Sequence, residues 1–115
     1  MSQRVLTSIM RLYHNPRCSK SRQALALLQE RGVEVEVYRY LDEGIDASDL
    51  HLLASLEGIV RSKDAGKAIM ATLVTDEDTV ALLKEQPKLL ERPVLVVNGK
   101  AVIGRPPEDV LSLLE

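Results

Sequence analysis

Asn98-Gly99, set between Val94-Leu95-Val96-Val97 and Lys100-Ala101-Val102-Ile103, constrains the fold more than any other stretch of this chain. A two-residue hairpin turn needs φ > 0 at both central positions, and Asn-Gly between β-branched runs is the strongest short-range signal for one. The spacing predicts an antiparallel hairpin. Pro93 precedes it and Gly104-Arg105-Pro106 breaks it. Pro107 then suits the first position of a terminal helix over Glu108 to Leu114, where its missing N–H is no loss.

The first forty residues read as strand, helix, strand. Ser8 to Tyr13 is short, alternating and apolar, and His14-Asn15-Pro16 supplies turn chemistry after it. From Ser19 the period changes, with Ala24, Leu25, Leu27 and Leu28 at helical spacing and Arg31-Gly32 as a stop, which makes about three turns of helix. Val33 to Tyr38 alternates strictly, predicting a strand with one buried and one wet face. Two strands joined by a crossover helix form a right-handed βαβ unit with parallel strands.

Between the halves the pattern is helical. Leu50, Leu53 and Leu56 lie between possible caps at Asp46 and Ser48 and a stop at Gly58, and residues 61 to 74 carry a weaker helical pattern. Thr75-Asp76-Glu77-Asp78 resembles a capping box and opens a helix that Pro87 closes. The order βαβ, helices, ββα is that of an α/β, thioredoxin-like mixed sheet with an all-helical insert, at about residues 46–86, between its two halves.

Composition narrows the class. The chain has 115 residues, room for one domain over 1–115, with a net charge of -2 that argues against a nucleic-acid clamp. Its three aromatic residues are Tyr13, Tyr38 and Tyr40, so base stacking has little material and a core of Leu, Val, Ile and Ala is expected. The longest apolar run, Ala24 to Leu28, is far short of the ~20 residues of a membrane span. Residues 1–10 hold no secretory pattern, and Met10 is a conceivable start, so a cytoplasmic protein, compatible with a monomer, is expected. One cysteine and two distant histidines offer no internal disulfide and no metal-ligand spacing.

That cysteine, Cys18, falls where the first helix begins, facing its unpaired N–H groups and positive dipole end. Such a position favours thiolate. Arg17, Lys20 and Arg22 add positive charge, and Ser21, one turn along, can offer a hydroxyl to the sulfur. The competing reading, a buried structural cysteine, fits poorly with the polar flank Asn15-Pro16-Arg17-Cys18-Ser19-Lys20-Ser21-Arg22. Arg92-Pro93 and Arg105-Pro106 flank the hairpin. If it pairs with the first strand, both arginines converge on the sheet end that carries Cys18, as an oxyanion cradle or simply as solvated surface residues. A proline just before a strand, such as Pro93, is also a place where a cis bond is used.

Tyr13 to Arg22, Arg61-Ser62-Lys63-Asp64, Glu91-Arg92-Pro93-Val94 and Gly104-Arg105-Pro106-Pro107 together resemble the glutaredoxin-linked arsenate reductase family, ArsC, within the wider ArsC/Spx group. The likeness runs from about Ile9 to the end of the chain, which is several residues shorter than the family pattern between Gly58 and Arg61. The resemblance implies that Cys18 is the nucleophile, that Arg61, Arg92 and Arg105 bind the oxyanion, and that Pro93 is a cis-proline facing the site. It also implies that His14 and Ser21 tune the thiolate. On the residues alone, His14 is equally a turn histidine that caps a helix. His51 matches no motif and is expected on a solvated helix face.

The implied reaction is reduction of arsenate, or a similar small oxyanion, to arsenite. No bound cofactor is expected. With no second cysteine in the chain, an external thiol must complete the reaction, and the resemblance implies glutathione as that co-substrate and glutaredoxin as the protein that restores the thiol. Two rivals remain. The same thiolate can serve as a glutathione-dependent oxidoreductase on another small substrate, or the chain can act as an Spx-like regulator that binds RNA polymerase. The latter commonly uses a Cys-x-x-Cys pair, and here the second position is Ser21.

Overall fold

The computed structural model of the chain describes residues 10–114. Ser8 and Ile9 of the expected first strand, and the question of a start at Met1 or Met10, fall outside the described residues. Strand β1 is Met10–Tyr13, helix α1 is Ser19–Glu30, and strand β2 is Glu36–Tyr38. Helices α2 (Tyr40–Glu43), α3 (Leu50–Ala54), α4 (Ser62–Ala71) and α5 (Asp76–Glu85) follow. The chain then returns through β3 (Val94–Val97) and β4 (Lys100–Ile103) to a terminal 3-10 helix at Pro107–Leu114.

The four strands stand in the order β2-β1-β3-β4. β1 and β2 are parallel, with Leu12 opposite Val37, whereas β3 is antiparallel to both β1 and β4. This is the mixed sheet expected from the order of elements. Asn98 and Gly99 close the hairpin with φ of 50° and 75°, the left-handed pair that a type I′ turn requires. Helix α1 ends as the Arg31-Gly32 signal predicts. The N–H of Gly32 donates to Gln29 and that of Val33 to Leu28, a Schellman motif with Gly32 at φ 68°. At the start of α5, Thr75 and Asp78 form the reciprocal capping box.

Alternation along β1 and β3 builds two cores. Leu12, Leu95 and Val97 pack with Ala24, Leu28 and Val110, beneath α1 and the terminal helix. On the other face, Tyr13, Val94 and Val96 pack with Leu50, Leu53, Leu83 and Leu90 from the helical segment. All four residues of β3 are buried, so each fully enclosed Val or Leu contributes roughly 1.5–3 kcal/mol of apolar burial.

Several expectations need correction. Tyr13 and Tyr40 are fully buried, so the core is not aliphatic alone. Their ring centroids lie 6.3 Å apart with the planes tilted by 49°, and the Tyr13 hydroxyl donates to Asp49 and accepts from the Asp46 N–H, which makes its burial tolerable. β2 is shorter than Val33 to Tyr38 and, as an edge strand, leaves Val37 exposed. The helix over 61–74 is interrupted at Gly66, whose φ of 87° and ψ of 164° lie in a region open essentially to glycine. Helix α2 has no periodic signature in four residues, and the final helix is 3-10 in form.

Candidate active site

The joint between β1 and α1 places Cys18. Strand β1 stops at Tyr13, and the loop His14–Arg17 turns on Asn15, whose side-chain Oδ1 accepts from Arg17 N–H at 3.0 Å. The Asn15 carbonyl accepts from Cys18 N–H, also at 3.0 Å. Ser21, fully buried one turn into α1, accepts from Asn15 N–H at 3.3 Å and so locks the loop onto the helix. Cys18 is left at the N-cap with extended backbone and a half-buried side chain.

The environment of the sulfur favours its anion. Burial pushes the thiol up, but the Ser21 N–H, the Arg92 guanidinium, the Ser21 hydroxyl and the Lys20 N–H outweigh that cost and bring it below the ordinary thiol value. Arg105 adds its NH2 group, 3.6 Å from Sγ. Side chains distant in sequence thus carry the guanidinium contacts, while the neighbouring Arg22 is engaged by the Pro16 carbonyl at 2.9 Å.

Arg92, Arg105 and Arg61 do converge, and two carboxylates hold them together. Glu91 Oε1 lies 3.1 Å from both Arg61 NH1 and Arg105 Nε. Arg105 Nε also donates to the Arg92 carbonyl at 2.9 Å. Asp64 Oδ2 is 3.0 Å from Arg61 Nε and 3.7 Å from Arg92 NH1. Three guanidiniums against two carboxylates leave one unit of positive charge beside the sulfur. The buried Arg92 Nε has no partner among the described residues, an open donor in this cluster.

Arg61 arrives by a different route from the other two. Its N–H donates to the Leu89 carbonyl at 2.8 Å, and the adjoining Val60–Leu90 bridge sets the start of α4 beside the segment that leads into β3. It connects to the sulfur through Glu91 and Arg105, with no direct bond to Cys18 among the described residues.

The Arg92–Pro93 peptide is cis, as is Arg105–Pro106. Pro93 is buried, and its carbonyl accepts from Gly104 N–H at 2.8 Å. His14 is buried at the loop, with its N–H on the Tyr38 carbonyl at 3.0 Å. Burial first, then the charges of Arg39 and Arg22, lower its imidazole below the usual histidine value, so it is neutral at pH 7. His51 stands on the surface, 3.5 Å from Glu77.

Sequence reasoning missed three members of this cluster. Asp64 and Glu91 lie inside the quoted motifs, and Asp64 three residues after Arg61 is a recognisable helical pair. Tyr40 carried no signal. Its buried hydroxyl is pushed up to about 12 by burial, although the nearby Arg92 charge pulls the other way. The arrangement is suited to an activated sulfur attacking a small tetrahedral oxyanion held by forked donors. No group of three or more His, Cys, Asp or Glu suited to a metal occurs among the described residues. No helix there is long and apolar enough to cross a membrane.

The chain is similar to known proteins over most of its length. The ArsC family model matches residues 13–113. An arsenate reductase of Neisseria meningitidis is 44% identical over 114 residues, covering 91% of this chain and 97% of that protein. The uncharacterised protein YfgD of Escherichia coli is 40% identical over 118 residues, covering 95% and 99% respectively. Among solved structures, arsenate reductase from Vibrio cholerae superimposes with a TM-score of 0.76 at 36% identity, covering 93% of this chain and 98% of that one.

Proposed function

The chain belongs to the ArsC family, and from that premise we propose that it reduces arsenate to arsenite with Cys18 as nucleophile, using glutathione and glutaredoxin. The observation that carries the reading is the Arg105 guanidinium 3.6 Å from the Cys18 sulfur, at the edge of a cluster that holds Arg61 and Arg92.

Cys18 thiolate attacks arsenic while the arginines neutralise the oxyanion, and a hydroxide leaves as water after taking a proton, giving a Cys18–S–arsenate adduct. A second thiol must complete the reaction, because the chain has only one cysteine. Glutathione thiolate attacks the Cys18 sulfur, a Cys18–glutathione disulfide forms, and the S–As electron pair passes to arsenic, which leaves as arsenite. Glutaredoxin then returns Cys18 to the thiolate by disulfide exchange. Such a cycle belongs in the cytoplasm, where glutathione is kept reduced. His14, neutral beside the loop, and Ser21, bonded into it, serve as positioning residues for the sulfur.

The test is NADPH consumption in the presence of glutathione, glutaredoxin and glutathione reductase, with and without arsenate. Arsenate-dependent turnover that disappears in Cys18→Ser is the expected result. A wild-type protein silent on arsenate but active on glutathione adducts would replace arsenate as substrate.

A further inference from the structure

A groove of about 340 Å³ opens on the loop that leads into Cys18, bounded by His14, Pro16 and Arg17 on one wall and by Arg39 and Leu41 on the other. The three arginines around the sulfur are already engaged by Glu91 and Asp64, and Arg22 is held by the Pro16 carbonyl. The cations that line the groove itself are Arg17 and Arg39. Arg17 makes no side-chain hydrogen bond or ion pair among the described residues, and Arg39 has only a loose, exposed pair with Asp42 at 3.5 Å. With Asp42 included, the groove keeps a net positive charge. Of its lining residues His14 is buried, while Leu41 is 48% exposed.

We propose that this groove seats the carboxylate end of a small anionic peptide thiol, of which glutathione, with two free carboxylates, is the probe. The inference deepens the reading above by naming where the co-substrate binds, and it depends on that reading only for the reactive sulfur. A tripeptide extends roughly 10 Å, and the Cα of Arg17 is one peptide, about 3.8 Å, from that of Cys18. A carboxylate at Arg17 and Arg39 therefore leaves enough chain for the ligand's sulfur to reach Sγ. Charged recognition there would select a peptide thiol over a neutral one while leaving Arg61, Arg92 and Arg105 to the oxyanion.

The test needs no arsenate. Reduced protein is mixed with glutathione disulfide or with the uncharged 2-hydroxyethyl disulfide, and the rate of Cys18 mixed-disulfide formation is followed by intact mass. In each case Cys18 thiolate forms the new S–S bond, the reagent's S–S bond breaks, and its electron pair leaves on the departing thiolate. Arg39→Glu should slow the glutathione reaction about 10-fold or more and Arg39→Gln by less. The uncharged reaction reports any indirect effect of Arg39 through His14, and both variants should slow it several-fold less than they slow the glutathione reaction. Added salt should erode the wild-type preference for glutathione disulfide. Equal slowing of both reagents, or no slowing of either, would overturn the proposal. Either outcome is separate from the arsenate assay, so failure of this site and failure of the arsenate reading are distinguishable.

Discussion

Arg105 donates from NH2 to the Cys18 sulfur at 3.6 Å and from Nε to the carbonyl of Arg92 at 2.9 Å, so one guanidinium ties the nucleophile to the backbone just before the cis proline. The two residues are 87 positions apart, and the pairing of β3 with both β1 and β4 brings them together. Arg105→Ala removes that contact and, on the proposed mechanism, charge-assisted donation to the oxyanion. The expected loss in kcat/KM for arsenate is about 10- to 150-fold, from roughly 1.5–3 kcal/mol. Arg61→Ala should cost less than Arg105→Ala, because Arg61 reaches the sulfur only indirectly, through Glu91 and Arg105 and through Asp64 and Arg92. Steady-state kinetics of the two variants side by side checks the order.

The thiolate itself is testable by pH. Cys18 is held below the ordinary thiol value in the folded chain, so the midpoint of its alkylation rate with iodoacetamide should fall below that of a free thiol, and Arg92→Ala should move it back up. The same shift makes a stability statement. A group whose folded pKa is depressed contributes stability that is full above its unfolded value and is lost as pH falls through the folded one. Wild type should therefore gain stability over Cys18→Ser as pH rises through the folded midpoint toward the ordinary thiol value and level off above it, measured by denaturant unfolding across pH.

The hairpin, the Gly32 stop and the Thr75 capping box were legible because each rests on neighbours within a few residues. So was Cys18 at the head of α1, since an N-terminal position follows from the start of helical periodicity. What was not legible depends on contacts across the chain. The role of Glu91 arises only when the Val60–Leu90 bridge lays Arg61 beside it. The burial of Tyr40 requires Tyr13 of β1 and the segment around Leu89 and Leu90 to come together with it, and the edge position that exposes Val37 is a property of the sheet rather than of its alternating sequence.

Asp64 bridges Arg61 and Arg92 on the side where an anion would compete for the same donors. Asp64→Asn should tighten arsenate binding several-fold, seen as stronger protection of Cys18 against alkylation at a given arsenate concentration. Weaker protection would mean that Asp64 holds Arg92 in place instead.

Gly104 has no room for a side chain. A Cβ there would stand 2.9 Å from both Pro93 Cγ and Val110 Cγ1, linking the cis-proline turn to the core under the terminal helix. Gly104→Ala should destabilise the protein by about 1–3 kcal/mol, read as a lowered Tm in thermal melting.

The most direct measurement of the central claim is the intact mass of the protein after one turnover with arsenate and reduced glutathione, with glutaredoxin withheld. The account predicts one glutathione on Cys18, formed only when arsenate is present and absent from Cys18→Ser. A chain that stays unmodified while arsenite is produced, or that turns over arsenate without Cys18, would contradict it.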